Sequence, residues 1–172
     1  MYLQGVGPDV VAVYSLSVGV CCVTWVADRI YAAGGDHIPS TWGEFARQTG
    51  ITAVVHLRPG GPDVFRGPVP DAYLWLGIAD EGEAAPADRW LAGRFVAECV
   101  HAGHKVLLHS SLGRHRTRWV YVSWAIVEGR SAQAALRQAA AKPWLSPYHT
   151  SSEAWDDFAR EVRRCRQSAR AG

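Results

Sequence analysis

Short apolar runs alternate with polar segments along this chain, and three of them have the length and residue content of buried strands. Residues 51–57 form a β-branched run, and shorter apolar runs follow at residues 73–78 and 106–109. Residues 58–71 contain four prolines and three glycines, so this segment is predicted to be a loop. The pattern predicts short strands separated by longer connections.

Residues that cap or break helices divide the rest of the chain. Residues 41–44 (Thr-Trp-Gly-Glu) have the form of a capping box, and the helix they open is predicted to end near Gly50. Pro86 and Gly103 fit the start and the end of a second helix. Three further helices are predicted, at residues 116–127, from Ser131 to a point before Pro143, and from a second capping box at residues 150–153 to near Arg166. The first of these three is apolar on most faces, which predicts a central position.

Residues 10–27 are mostly apolar and raise the question of a membrane segment. No Lys or Arg precedes them, so the basic start of a secretory signal is missing. Ser15, Ser17, Gly19 and Thr24 interrupt the run, which is rich in valine. Two buried strands around a Ser/Gly turn fit this pattern better than a spanning helix. We therefore expect no membrane partner.

The predicted strands come early with helices between them, and mainly helices follow. This order predicts an α/β fold with a central, mostly parallel sheet flanked by helices on both faces. The chain has 172 residues, no internal repeat and no linker long enough to divide it. It is therefore predicted to be one domain, residues 1–172, in which residues 1–23 form an N-terminal strand extension.

Composition narrows the possible partners and compartment. Apolar residues make up 48% and charged residues 20%, as in ordinary globular proteins. A formal net charge of +2 argues against broad nucleic-acid binding. The four cysteines include no C-x-x-C pair, which favours reduced thiols in the cytoplasm. His101 and His104 lack the further ligands that a metal site needs, and we predict no metal and no cofactor.

The segment 105–117, Lys-Val-Leu-Leu-His-Ser-Ser-Leu-Gly-Arg-His-Arg-Thr, carries the candidate chemistry. It runs from a strand through a short polar loop into a helix. Backbone N–H groups and the helix dipole therefore converge on one point, which suits a phosphate dianion. Gly113 lets the backbone pass close to a ligand, and Arg116 supplies a planar fork for two phosphate oxygens. We call residues 109–117 the anion loop and predict that it holds one phosphate.

With a cysteine at position 110, the anion loop would read His-Cys-x5-Arg-Thr. The chain thus resembles the cysteine-dependent protein tyrosine phosphatases, and in particular their small atypical dual-specificity branch. Residues 24–34 and 50–57 are similar to the opening strand and the second strand of that family, so the resemblance spans roughly residues 24–165. It implies a phosphotyrosine protein phosphatase-like fold and the hydrolysis of phosphomonoesters. The implied partners are phosphorylated proteins, small phosphomonoesters and phosphate-like anions.

The resemblance also implies roles within the anion loop. In the family, the cysteine at this position attacks phosphorus and forms a phosphocysteine intermediate. Thr117 would hydrogen-bond the sulfur, and His109 would help to order the loop, although His109 also fits a hydrogen-bonded core histidine. The residues implied to bind the substrate phosphate are Ser111, Leu112, Gly113, Arg114, His115 and Arg116.

Asp80 corresponds to the aspartate that protonates the leaving group in the family and then activates water. It follows the strand predicted at residues 73–78 and lies in a loop with Gly, Ala and Pro. Glu81 and Glu83 are nearby alternatives for this acid. A solvated turn aspartate or a helix-capping residue is the competing interpretation of Asp80.

Ser110 stands where the family has its nucleophile. A serine hydroxyl is far less acidic than a thiol, so it stays neutral in this loop and cannot replace the thiolate at neutral pH. The expected behaviour is phosphate binding without turnover. Two origins fit this behaviour, an inactive substrate-trapping Cys-to-Ser variant and a natural pseudophosphatase. A further departure, Arg118-Trp119 in place of small residues, bears on helix packing and not on phosphate binding.

Three other interpretations compete with this one. Arg114 and His115 are either solvent-facing charges or extra positive potential for phosphoinositides or RNA 5′ phosphates. A non-enzymatic phosphate-binding module would use the same loop to hold phosphorylated partners. A serine hydrolase would require G-x-S-x-G around Ser110, but Leu108 and Leu112 occupy the two glycine positions.

Overall fold

The computed structural model describes residues 10–16, 19–142, 144–145 and 149–171. The strands in this part of the chain are β1 (Val10–Leu16), β2 (Gly19–Ala27), β3 (Ile30–Gly34), β4 (Ile51–Leu57), β5 (Ala72–Leu76) and β6 (Lys105–Ser110). The helices are α1 (Trp42–Thr49), α2 (Pro86–His101), α3 (His115–Val127), α4 (Ala132–Ala140) and α5 (Ser152–Ala171). A single 3-10 turn spans Glu81–Glu83.

The strands form one sheet in the order β1-β2-β3-β6-β4-β5. Strands β3, β6, β4 and β5 run parallel to one another, whereas β1, β2 and β3 pair antiparallel. The predicted α/β class with a mostly parallel sheet is therefore confirmed. Parallel neighbours end at the same edge of a sheet, so the segments that follow β3, β4, β5 and β6 all emerge on one side.

Helices cover both faces of the sheet, as the sequence predicted. On one face, Trp42 and Phe45 of α1 pack with Val54 of β4 and Leu107 of β6. On the other face, α2 and α3 pack against the alternate side chains of the same strands, including Leu108, and α4 and α5 pack on these helices. Successive residues of β4 and β6 are thus buried on opposite faces, which explains why both strands read as continuous apolar runs.

Helix α3 lies at the centre of the second layer, in agreement with its apolar sequence. Trp119 is only 1% exposed, although the family that the sequence resembles often has a small residue at this position. Arg118 is half-buried, and the negative charge of Glu81 opposes the lowering of its pKa by burial. Gly93 of α2 permits a close crossing, because a Cβ at this position would lie 2.8 Å from Cγ2 of Val127.

Two predicted helix starts differ in detail from the observed ones. Thr41 precedes α1, but its side chain makes no capping hydrogen bond. At α5 the cap is Ser151 and not Thr150, because the Ser151 hydroxyl accepts from the amide of Ala154. A capping box requires the cap residue to lie directly before the first helical residue, and α5 begins later than predicted. It also continues beyond Arg166 to Ala171.

The N-terminal apolar stretch forms the antiparallel pair β1 and β2, and β2 joins the sheet through β3. The predicted turn at residues 17–18 and the burial of side chains before Val23 lie outside the described residues, as do the side chains of Cys21 and Cys22. Among the helices described, none is long and apolar enough to span a membrane.

Candidate active site

The anion loop begins where three parallel strands end together. In the sheet register, Ser110 at the end of β6 is aligned with Gly34 of β3 and with Leu57 of β4. The side chain of Ser110 is buried, with only 1% of the residue exposed. The loop then turns into α3, so the amino end of a buried helix faces the same edge of the sheet.

Short hydrogen bonds close the loop around the Ser110 hydroxyl. The amide of Gly113 donates to Oγ of Ser110 over 3.1 Å, so at least one backbone donor of the loop points at this position. From outside the loop, the amide of Gly35 donates to the carbonyl oxygens of Ser110 (3.2 Å) and Ser111 (3.0 Å). One main-chain donor, the amide of Gly113, thus points at the position that would carry a nucleophile.

Gly113 has a φ of +64°, a conformation that favours glycine. A Cβ at this position would lie 2.7 Å from the carbonyl carbon of Ala33 and 2.7 Å from the amide nitrogen of Gly34. The close approach that requires glycine is therefore to the backbone at the end of β3. The expected approach of this glycine to a ligand stays a prediction.

Arg116 is held by the carboxyl ends of the neighbouring strands. Its Nη1 donates to the carbonyl oxygens of Leu57 (2.7 Å) and Ile78 (2.9 Å), and its Nη2 donates to Oγ of Ser111 (2.9 Å). These bonds leave the Nε–H and one Nη2–H for a ligand. Within the described residues, no carboxylate forms an ion pair with this guanidinium.

The electrostatics of Arg116 favour an incoming anion. Burial lowers the pKa of Arg116, and the positive charge of Arg58 lowers it further, whereas the carboxylate of Asp80 opposes both. Arg58 lies 4.0 Å from the exposed carboxylate of Asp36, whereas Arg116 has no such ion pair among the described residues. A phosphate dianion bound beside Arg116 would compensate its charge.

Thr117 does not have the contact implied by the family. Its hydroxyl donates to the carbonyl oxygen of Arg114 over 2.9 Å and not to Ser110. The side chain therefore stabilises the first turn of α3. A threonine hydroxyl in a helix commonly bonds a backbone carbonyl three or four residues earlier, as here.

His109 is buried and lies against a second buried histidine, His56 on β4. The two Nδ1 atoms are 3.2 Å apart, and the rings are stacked with centroids 5.2 Å apart. Burial, assisted by the proximity of His56, lowers the pKa of His109 to about 3, so its ring is neutral at physiological pH. Nothing in the sequence pointed to His56, because a histidine in an apolar strand has no motif of its own.

Asp80 lies at the same edge of the sheet and caps the 3-10 turn. Its Oδ1 accepts hydrogen bonds from the amide of Gly82 (2.8 Å) and from Nδ1 of His149 (2.9 Å). These bonds, first that of His149 and then that of Gly82, lower the pKa of Asp80, and Arg116 adds to the effect. These contacts confirm the capping role of Asp80, whereas its lowered pKa favours the carboxylate over the protonated form that a leaving-group acid needs.

The two alternative acids differ sharply from Asp80. Glu81 is 4% exposed, and its Oε1 accepts from the amides of His149 (2.9 Å) and Thr150 (3.3 Å). It is therefore engaged in holding the segment before α5. Glu83 is exposed on the turn. Of the three, Asp80 is the carboxylate whose charge acts on Arg116.

His149 is a site residue that the sequence analysis missed, and its contact with Asp80 gives a testable expectation. In a His149→Ala variant we expect the pKa of Asp80 to rise, because the largest cause of its lowering is removed. A 13C NMR titration of the Asp80 carboxyl carbon measures this shift. Glu83→Gln, which neutralises an exposed acid on the same turn, is the matched control. An unchanged Asp80 titration in His149→Ala would contradict the assigned contact.

The outer side of the anion loop is more exposed than its base. Leu112 is 70% exposed, Arg114 is exposed, and His115 is half-buried. A cavity of about 470 Å³ lies between the outer loop residues, the end of β3 and Trp144. Within the described residues, no group of three or more His, Cys, Asp or Glu side chains could hold a metal ion.

Comparison with known proteins gives matches among solved structures. No protein-family model and no curated protein matches the sequence. Human DUSP28 shares 19% identity with a TM-score of 0.59, over 86% of this chain and 99% of that chain. DUSP15 shares 21% identity with a TM-score of 0.61, over 85% and 95% of the two chains. The structure of PTPMT1 in complex with PI(5)P shares 15% identity with a TM-score of 0.67, over 87% and 99%. The fold is therefore that of the dual-specificity phosphatases, which confirms the structural part of the resemblance.

Proposed function

We propose that this chain is a phosphatase-type receptor for phosphomonoesters, and that Ser110 prevents it from hydrolysing them. The observation that carries the proposal is the arrangement at the base of the anion loop. There the hydroxyl of Ser110 accepts a loop amide, and Arg116 is oriented by two strand-end carbonyls with donors left over. Such an arrangement suits a tetrahedral oxyanion in a site partly shielded from water.

The parent reaction explains the other residues. With a thiolate at position 110, the sulfur would attack phosphorus and form a P–S bond while the P–O bond to the leaving group breaks. Asp80 would give its proton to the departing oxygen. It would then take a proton from the water that cleaves the P–S bond and releases phosphate. Arg116 and the loop amides would stabilise the charge on the non-bridging oxygens throughout both steps.

Serine at position 110 stops this sequence before its first step. A neutral hydroxyl is a weak nucleophile unless a base removes its proton. Among the described residues, the Ser110 hydroxyl is hydrogen-bonded to the amide of Gly113 and to no imidazole. The Nδ1 of His109 lies beside His56 and its Nε2 beside Gly35, and among the described residues neither nitrogen is hydrogen-bonded to the Ser110 hydroxyl. This argues against the serine-hydrolase alternative as well.

The same geometry is expected of a substrate-trapping variant and of a natural pseudophosphatase. The two differ in the natural gene, which encodes cysteine at position 110 in the first case and serine in the second. Phosphoinositides and RNA 5′ phosphates remain alternative ligands. The positive charge of Arg58 near Arg116, together with exposed Arg114, supports ligands with more than one phosphate.

The test is a binding experiment with the chain as it stands. By isothermal titration calorimetry, we expect one equivalent of a phosphotyrosine peptide to bind, whereas its unphosphorylated twin does not. Inorganic phosphate should compete with the peptide, because both occupy the anion loop. The affinities of phosphoserine peptides and of a short-chain phosphoinositide, measured in the same assay, rank the ligand classes. Equal affinity for the phosphorylated and unphosphorylated peptides would refute the proposal.

We also place the protein in the cytoplasm. Cys99 is a buried free thiol and Cys165 is an exposed one. Burial and the negative charge of Glu98 raise the pKa of the Cys99 thiol to about 11, so it is protonated and unreactive. An exposed, unpaired thiol such as Cys165 is typical of a reducing compartment.

A further inference from the structure

A line of polar side chains lies behind the anion loop, on the side away from its opening. It consists of His109 at the end of β6, His56 on β4, and Asp63 in the loop between β4 and β5. His109 and His56 are each 1% exposed. Their Nδ1 atoms are 3.2 Å apart, and Nε2 of His56 lies 3.8 Å from Oδ2 of Asp63.

The Asp63 carboxylate is fixed from several directions. Its Oδ2 accepts from the amide of Ile38 over 2.8 Å, and its Oδ1 lies 3.2 Å from Nδ1 of the exposed His37. The amide of Asp63 donates to the hydroxyl oxygen of Tyr73 over 3.1 Å. Asp63 therefore connects the loop after β3 with the loop after β4, and its negative charge stays beside His56.

This charge sets the direction of the hydrogen bond between the histidines. The negative charge 3.8 Å from Nε2 of His56 favours the tautomer with hydrogen on that nitrogen, although this distance is too long for a hydrogen bond. The Nδ1 of His56 is then an acceptor, and the Nδ1 of His109 must be the donor. The Nε2 of His109 consequently carries no hydrogen. Among the described residues this nitrogen has no hydrogen-bond partner, so it is a buried acceptor that they leave unsatisfied.

The far edge of His109 lies against a residue that holds the anion loop. A Cβ on Gly35 would lie 3.6 Å from Nε2 of His109, so this ring edge packs beside the glycine. The amide of Gly35 in turn donates to the carbonyl oxygens of Ser110 and Ser111. The orientation of His109 therefore affects the segment that positions the base of the loop.

We infer that His56 and Asp63 are positioning residues of the anion loop, which fix the tautomer and the orientation of His109 and thereby the placement of Gly35 and Ser110. The inference rests on the proposed function, because it assigns these residues to phosphate binding. A purely space-filling role for two buried histidines makes a different prediction. In that case the two histidines have no preferred tautomer, and a phenylalanine at position 56 supports phosphate binding as well as His56 does.

The first measurement reads the tautomers directly. Long-range 1H–15N NMR spectra of 15N-labelled protein distinguish Nδ1–H from Nε2–H histidines. We expect His109 to be the Nδ1–H form and His56 the Nε2–H form. In Asp63→Asn the charge is removed while the shape is kept, and we expect the preference at both rings to be lost or reversed. The control is His37→Ala, which removes the contact to Oδ1 of Asp63 and should leave the tautomers of His56 and His109 unchanged.

The second measurement reads phosphate binding by calorimetry with inorganic phosphate. His56→Phe keeps the stacking on His109 and Tyr73 but removes both ring nitrogens. We expect its phosphate affinity to fall by about tenfold, as for the loss of one buried hydrogen bond. His56→Asn offers an oxygen near the former Nδ1 and should recover part of the affinity. Thermal melting of each variant separates this effect from unfolding.

The outcomes separate this inference from the proposed function. Unchanged tautomers in Asp63→Asn, or parental phosphate affinity in His56→Phe, overturn the positioning role while leaving phosphate binding intact. Absence of phosphate binding by the parent chain overturns the proposed function and, with it, the assignment of these residues to phosphate binding. If His56→Phe does not fold, the tautomers and phosphate affinity of Asp63→Asn decide the question.

Discussion

Replacing Ser110 by cysteine is expected to convert this chain into an active phosphatase. Hydrolysis of an aryl phosphate such as p-nitrophenyl phosphate should rise by roughly 10³-fold or more over the parent chain. The physical reason is the acidity of the thiol. The amide of Gly113 that now donates to the serine hydroxyl would stabilise a thiolate at the same place, and the amino end of α3 and Arg116 would add to this effect.

The matched control for this variant is Ser110→Ala, which removes the hydroxyl without supplying a nucleophile. It should bind phosphate like the parent and remain inactive. Adding Asp80→Asn to the Ser110→Cys form should reduce turnover, because the acid can no longer protonate the leaving group. The contradicting result is a folded Ser110→Cys protein that binds phosphate and yet stays at background activity. Such a result would show that site features other than Ser110 also prevent turnover, and that the chain is a binding module.

Removal of the Arg116 guanidinium is the second large effect that we expect. In Arg116→Ala, affinity for a phosphotyrosine peptide should fall by at least about 100-fold, since loss of one partner of a buried charge pair typically costs a few kcal/mol. Arg116→Lys should recover little of it. An ammonium group cannot at once satisfy the carbonyls of Leu57 and Ile78 and offer a planar fork to phosphate.

Arg114→Ala provides the control within the same loop. Arg114 carries the same charge, but its side chain is exposed, so its loss should change affinity less than about threefold at physiological salt. Calorimetry on the three variants measures both effects, and circular dichroism checks that each is folded. Equal losses in Arg114→Ala and Arg116→Ala would indicate that general positive potential, and not a directed fork, holds the ligand.

The sequence was most informative where a short segment makes its own structure. The strand, loop and helix at residues 105–117 could be predicted because β-branched and apolar residues, a glycine and a helical run follow one another directly. The structure places β6, the loop with Gly113 at positive φ, and α3 in that order. The Ser131 cap of α4 is a similar case, because its bond to the amide of Ala134 involves neighbours in sequence.

Predictions that depended on distant partners were less successful. Thr117 was expected to contact position 110, but a nearby carbonyl is the acceptor. Glu81 was an alternative acid, yet it is buried beneath residues 149 and 150, which are far away in sequence. The contacts of His149 with Asp80 and of His56 with His109 could not be foreseen, since each joins elements more than fifty residues apart.

The sequence by itself determined the α/β class and the order of strand, loop and helix at residues 105–117, and it predicted the anion loop and the chemical consequence of serine at position 110. These follow from local periodicity, backbone preferences and the intrinsic acidity of a hydroxyl. The tertiary structure decided which groups hold Arg116, what lowers the pKa of Asp80 and what supports His109. Those properties arise where the ends of β3, β4, β5 and β6 meet at one edge of the sheet, and only chain folding brings their side chains within hydrogen-bonding distance.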